Sequence, residues 1–215
     1  MMLLQHGVGA LILENPYQGK RRPSHQAGHA ASTVAEQLLM HWMTIAESRG
    51  LLNWLRQDGY DHLGVTGVGL GGFMAAYVAA LTAYPLVVVP CSTGMRPSTM
   101  LSQSVMSTSA DWVRLQAEQQ QGTARELMTA LLDQCALDQL GAPADTDLAI
   151  LVGARRDGVV HPTQVEALAK HWGAPVYWGP GGHFSAAAYR GPIYRDALLD
   201  AFGTQLAKYT PSWMG

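Results

Sequence analysis

Cysteine is scarce in this sequence, with two among 215 residues. Cys91 and Cys135 lie far apart and show neither CxxC nor Cys/His ligand spacing, which argues against a zinc centre or a disulfide framework. Charge is scarce too: 14% of residues are charged, against about 25% in an ordinary globular domain. A formal net charge of −2 removes any electrostatic case for nucleic acid as partner. Long apolar runs are also lacking. The longest, such as Leu86–Val89, suit strands, and none approaches the roughly 18–20 residues of a membrane-crossing helix. Met1–Gly9 has no basic stretch followed by an apolar one and does not read as a signal peptide. The expectation is a soluble, cytoplasmic protein with no transmembrane segment, no metal and no organic cofactor.

What the chain does have is apolar sequence in short, spaced runs. Hydrophobic residues make up 48%, which excludes a disordered chain and supports one domain over residues 1–215. Strands are expected at Ala10–Leu13, Leu63–Thr66, Leu86–Val89, Leu148–Val152 and, more weakly, Pro175–Trp178. Helical periodicity falls between them: about Ala30–Leu55 (with Gly50 a candidate break or kink), Phe73–Thr82, Trp112–Gln121, Arg125–Leu137, Val165–Trp172 and Pro192–Tyr209. On the last of these, Ala197, Ala201 and Leu206 form one apolar stripe, with Leu198 and Phe202 beside it. Strands alternating with helices imply an α/β fold, a mostly parallel sheet with helices on both faces. The Ser-, Gln- and Met-rich stretch 91–141 reads as a lid or cap inserted within it. His41-Trp42-Met43 and Met95–Met106 are read as core packing before any apolar binding surface.

The most informative segment is Val65-Thr66-Gly67-Val68-Gly69-Leu70-Gly71-Gly72, a strand-to-helix turn. Gly67, Gly69 and Gly72 satisfy the dinucleotide fingerprint, in which helix N-terminal amides cradle a pyrophosphate. That reading needs an acidic residue after the next strand, where Pro90-Cys91-Ser92-Thr93 stands instead. The other reading is a nucleophile elbow, Gly-x-Ser-x-Gly, with Gly69 at the serine position and Gly67 and Gly71 as the small flanking residues. The elbow's central residue is strained, and glycine there relieves the strain while deleting the hydroxyl. Asp157 after the fourth run and His183 after the fifth complete the chain order nucleophile, acid, base. Taken singly, Asp157 reads as a loop cap and His183 as an ordinary loop histidine; three positions in the right order favour the elbow.

Other residues carry weaker signals. Cys91 and Ser92 stand at a strand's C-terminal end, on the rim where α/β sites form, although a buried Cys91 is the plainer reading. His161 before Pro162 shapes the loop near Asp157. Arg21 and Arg22 suit an anionic head group, or, more simply, an exposed basic loop or an ion pair with Glu14.

The run Leu11-Ile12-Leu13-Glu14-Asn15-Pro16-Tyr17-Gln18-Gly19-Lys20-Arg21-Arg22-Pro23 resembles the signature loop of the α/β-hydrolase domain-containing protein 18 family. Gly64–Ala75, Val89-Pro90-Cys91-Ser92 and Gly181-Gly182-His183-Phe184-Ser185-Ala186 extend the likeness over nearly the whole chain. The resemblance implies an α/β-hydrolase fold and serine-dependent acyl or ester hydrolysis of a small acyl or ester substrate. It implies Asp157 as acid, His183 as base and the Leu70 amide as one oxyanion donor. Where the family carries serine, this sequence has Gly69, so loss or strong impairment of serine catalysis is expected. The family also has early strands and an oxyanion-type loop before the Leu-Glu-Asn-Pro segment, near which this chain starts; N-terminal strands are therefore expected to be missing. An apolar sheet edge left that way would favour a homodimer. The alternative is a non-catalytic pseudoenzyme that keeps the pocket for an acyl or lipid ligand or a protein partner.

Overall fold

The computed structural model describes residues 3–24, 26, 34–99, 112–117, 122–183 and 191–210. The expected helix start near Ala30, the helix end at Gln121, Met100 to Met106 and Phe184–Ala186 lie outside the described residues. Two compact units form, Met1–Leu63 and Gly64–Gly215.

In the first unit, a 3-10 turn over Leu4–His6 closes on Gly7 in the left-handed region, and a second turn spans Gly19–Arg21. The Glu14 carboxylate accepts the Lys20 amide at 3.0 Å, and the Arg21 guanidinium donates to the Glu14 carbonyl at 2.9 Å. Arg21 also grips both Glu47 oxygens, at 2.6 and 2.7 Å, so its close ion pair is with Glu47, while the Glu14 carboxylate adds a weaker attraction. A two-pronged guanidinium–carboxylate pair fixes geometry as well as charge. Helix α1 runs Val34–Gln57 without interruption, so Gly50 is not a break. Ala10–Leu13 is likewise not a strand, and Ile12 is 96% exposed. Its composition favours extended backbone, but a strand also needs a neighbouring edge, and no described residue pairs with it.

The second unit carries a four-stranded parallel sheet in the order β1 (Gly64–Val68), β2 (Val87–Cys91), β3 (Leu151–Ala154) and β4 (Val176–Gly179). Helix α2 (Leu70–Ala80) follows β1, α3 (Trp112–Ala117) and α4 (Ala124–Gln134) follow β2, α5 (Pro162–Trp172) follows β3, and α6 (Gly191–Tyr209) ends the unit. Right-handed crossovers put α2 and α5 on one face. α6 packs along β2, β3 and β4. β2 is buried from end to end, as a central parallel strand must be.

β2 does not end at Pro90 as its sequence suggests but continues to Cys91. It meets β3 through Cys91↔Val152 and an isolated bridge Val88↔Ala149, one register interrupted at Pro90, which has no N–H to donate. The neighbouring bonds Ile150 N–H to Val88 O (3.0 Å) and Ser92 N–H to Val152 O (2.7 Å) hold the gap closed. On α6 the expected stripe is corrected at one position. Ala197, Ala201 and Gln205 are buried at four-residue spacing, while Leu206 is 47% exposed because it falls one residue past that row.

Candidate active site

The turn between β1 and α2 is tied at both ends. The Gly69 amide donates to the Cys91 carbonyl at 2.9 Å, and the Gly69 carbonyl accepts from Phe73 at 3.0 Å as the first bond of α2. Gly69 itself sits at φ 59°, ψ −117°, a conformation that costs an ordinary L-residue about 1–3 kcal/mol. The close approaches belong to its neighbours. A Cβ on Gly67 would lie 2.3 Å from the carbonyl carbon of Gly71, and one on Gly72 would lie 2.8 Å from the Cys91 carbonyl oxygen. Gly71 contributes the backbone that Gly67 touches, while a Cβ of its own would meet nothing within 4 Å among the described residues. The N–H groups of Leu70 and the rest of the first turn have no acceptor within α2 and carry the helix's positive end.

Asp157 follows β3 and is buried. Its Oδ1 accepts the amides of Val159 and Val160, each at 2.9 Å, and the two oxygens lie 3.1 and 2.9 Å from His183 Nδ1. Burial alone would raise this carboxyl's pKa. The hydrogen bonds from His183, Val160 and Val159 outweigh that effect and hold it below the ordinary value of 3.8. An ionised carboxylate can only accept, so Nδ1 is the donor, and the other ring nitrogen is Nε2. That nitrogen stands 3.2 Å from the position a Cβ on Gly69 would occupy. The structure therefore brings Gly69, Leu70, Asp157 and His183 together at the C-terminal ends of β1, β3 and β4, with Gly67 and Gly71 framing the turn.

The acid and base loops are zipped to one another. Arg155 donates to the Gly179 carbonyl at 3.2 Å and Arg156 to the Gly181 carbonyl at 3.1 Å. Gly181 is left-handed at φ 88°, and a Cβ on Gly182 would fall 2.9 Å from the Arg156 carbonyl oxygen. These two glycines set His183 on Asp157. Their role is missed by considering acid and base alone, although the Gly-Gly pair before the histidine is its signal. Cys91 is buried with Sγ 3.5 Å from the Val89 carbonyl; it serves the site through its own carbonyl, which anchors Gly69. Ser92 is fully buried at φ 47°, a strained position for a residue with a side chain. His161 caps α5, its Nδ1 accepting the Thr163 amide at 3.3 Å.

Within residues 91–141, Thr123 and Glu126 form a reciprocal cap on α4, and the Ser98 hydroxyl and the Arg96 guanidinium reach Asp133 and Asp138 respectively. Among the described residues no cluster of three or more His, Cys, Asp or Glu could hold a metal ion, and no helix is long and apolar enough to cross a membrane.

A family model described as alpha/beta hydrolase domain containing 18 matches residues 1–134 and 117–204. Among solved structures, TT1662 from Thermus thermophilus is 17% identical with a TM-score of 0.59, over 88% of this chain and 75% of that one. BpoC from Mycobacterium tuberculosis H37Rv is 17% identical with a TM-score of 0.52, over 89% of this chain and 80% of that one. The acylaminoacyl peptidase of Pyrococcus horikoshii is 17% identical with a TM-score of 0.48, over 74% of this chain, which spans only 27% of that protein's length. At such identities the likeness to TT1662 and BpoC is one of fold.

Proposed function

The chain belongs to the alpha/beta hydrolase domain containing 18 family, and from that premise we propose that its site is of serine acyl or ester hydrolase lineage. In this reading Asp157 orients His183, His183 is the base, the Leu70 N–H is an oxyanion donor, and residue 69 is the nucleophile position. The observation that carries it is the 3.2 Å between His183 Nε2 and the Cβ position of residue 69. A hydroxyl one bond further out falls within hydrogen-bond reach of that nitrogen. The base would take the hydroxyl proton as the oxygen adds to the acyl carbon, and the helix N-terminus would meet the developing oxyanion.

With glycine at 69 no side-chain oxygen is available to form an acyl-enzyme. Nucleophile and base act as a unit, so ordinary serine turnover is lost or strongly impaired in this form. The test is Gly69→Ser: p-nitrophenyl ester hydrolysis should rise well above that of the parent chain and vanish again in Gly69→Ser/His183→Ala. A folded Gly69→Ser variant no faster than the parent counts against the reading.

A second reading, a non-catalytic binder of acyl or lipid ligands or of a protein partner, draws on a different feature. An open cleft of about 670 Å³ lies between α3 and α4, lined by Trp112, Val113, Ala117 and Ala124 among others. It predicts ligand-dependent stabilisation without turnover, and a screen of acyl compounds that leaves the melting temperature unmoved would sink it. β1 is an edge of the described sheet, with Thr66 and Val68 exposed, which supports association of two chains through that edge. Size-exclusion chromatography giving a monomer would dispose of that part. Cytoplasmic residence belongs to the same reading and is checked by cell fractionation.

A further inference from the structure

Gln164 stands in the first turn of α5, behind the His161 cap and Pro162. A glutamine three residues past a helix cap commonly reaches back to that cap's own amide. Here its Oε1 accepts the Arg96 amide at 3.3 Å, from 68 residues away in sequence, and its carbonyl accepts the Met95 amide at 3.3 Å. Gly94 completes the contact. A Cβ on it would lie 2.5 Å from Gln164 Cβ and 3.4 Å from Val160 Cγ1, so glycine is what lets this backbone lie against the helix. Residues 94–96 are anchored on a second side as well: the Met95 carbonyl accepts the Leu137 amide at 2.9 Å, and the Arg96 guanidinium reaches Asp138, with Asp133 at 3.8 Å.

From Gln164 the path to the acid is short. Its amide donates to the His161 carbonyl at 2.9 Å, and the two residues before His161 are the buried Val159 and Val160. Their amides, at 2.9 Å each, hold Asp157 Oδ1. A carboxylate gripped by main-chain amides is oriented by whatever fixes that main chain. We infer that Gln164 is a positioning residue for Asp157: through it the chain leaving β2 holds the acid loop, so the placement of residues 94–96 sets the acid of the pair. This hold comes from one side of the loop, and the Arg155 and Arg156 bonds to the β4 loop supply the other. The consequence for turnover rests on the reading of Asp157 and His183 given above.

The experiment has two arms. In the parent chain, amide hydrogen exchange is followed by NMR in Gln164→Met, which keeps an unbranched side chain but loses the acceptor, and in Gln164→Glu, which keeps the acceptor. Exchange at Val159 and Val160 should rise about 10-fold in Gln164→Met, the upper end of what one net hydrogen bond supplies, while Val78 and Ala79 in α2 keep the parent's rate. Gln164→Glu should exchange like the parent. Gly94→Ala should loosen the same two amides by pushing the partner strand end off α5, so the arm reads out even if Gln164→Met folds poorly. In the Gly69→Ser background, Gln164→Met should lower kcat for p-nitrophenyl acetate about 10-fold with KM unchanged, and Gln164→Glu should restore it. Unchanged exchange at Val159 and Val160, a rise shared equally by α2, or Gln164→Glu behaving like Gln164→Met overturns the proposal. So does Gly69→Ser turnover indifferent to Gln164→Met, which leaves the reading of the site standing. A folded Gly69→Ser protein without turnover, alongside the expected exchange, overturns that reading and supports the hold of Gln164 on Asp157.

Discussion

Replacing Gly67 by alanine should break the elbow, whereas the same change at Gly71, four residues on, should not. The new Cβ at 67 would stand 2.3 Å from the carbonyl carbon and 2.4 Å from the carbonyl oxygen of Gly71, where ordinary contact begins near 3.4 Å. More than an ångström must therefore be found, and both obstructing atoms are main chain, held on one side by the β1–β2 ladder and on the other by α2. Overpacking against yielding side chains costs about 1–3 kcal/mol, so an obstacle of backbone places Gly67→Ala at about 3 kcal/mol or more. At this chain length that is a fall in Tm of about 6–12 °C. Gly71 lies in the first turn of α2, and its Cβ position meets none of the described residues within 4 Å, so Gly71→Ala should gain up to about 1 kcal/mol from helix propensity and the loss of unfolded-state freedom. Urea unfolding followed by far-UV circular dichroism measures both. Equal stability of the two variants, or Gly67→Ala within about 0.5 kcal/mol of the parent, a range ordinary for a neutral surface change, would refute the packing argument.

Further consequences follow from the same geometry. Gly69→Ser should itself be less stable than the parent by about 1–3 kcal/mol, since a side chain must now adopt the φ of 59°; equal or greater stability in denaturant melts would contradict the strain. The Asp157 carboxyl is held below 3.8 in the fold, so its contribution is fully present above that pH and is lost as pH falls through the lower folded value. The acid limb of the stability curve should therefore flatten in Asp157→Asn, and a limb of unchanged slope would show that the His183 and amide bonds do not carry it. Gly182→Ala should slow hydrolysis in the Gly69→Ser background, because its Cβ would press on the Arg156 carbonyl oxygen from 2.9 Å and turn His183 off its acid. Hydrolysis at an undiminished rate would remove Gly182 from the positioning machinery. On α6, Leu206→Gln should lie within about 0.5 kcal/mol of the parent, while Ala201→Gln, at a fully buried site, should cost about 1–3 kcal/mol.

Much of the second unit was legible because its signals are local. Val87–Val89 are apolar, β-branched and flanked by turns, and Leu70–Ala80 is small and apolar throughout, the pattern of a helix packed on a sheet. Chain order alone put Asp157 and His183 after consecutive strands, and parallel topology brings such strand ends to one edge of the sheet. What was not legible depends on partners distant in sequence. Ala10–Leu13 has the composition of a strand, but pairing is a property of two segments. Pro90 reads as a strand end, yet β2 passes through it because the bonds of Ile150 and Ser92 bracket the missing donor. Glu47 as the partner of Arg21, and Gln205 in place of Leu206 on the buried row, likewise emerge only when helices and loops are set in space.

The central claim is that residue 69 is the nucleophile position of an otherwise assembled acid–base pair. Intact-mass spectrometry of Gly69→Ser after reaction with a fluorophosphonate tests it most directly. The account predicts a single adduct, mapped to residue 69 by peptide sequencing, that is absent from the parent chain and from Gly69→Ser/His183→Ala. A folded Gly69→Ser protein that takes up no label, or takes it up equally without His183, would contradict it.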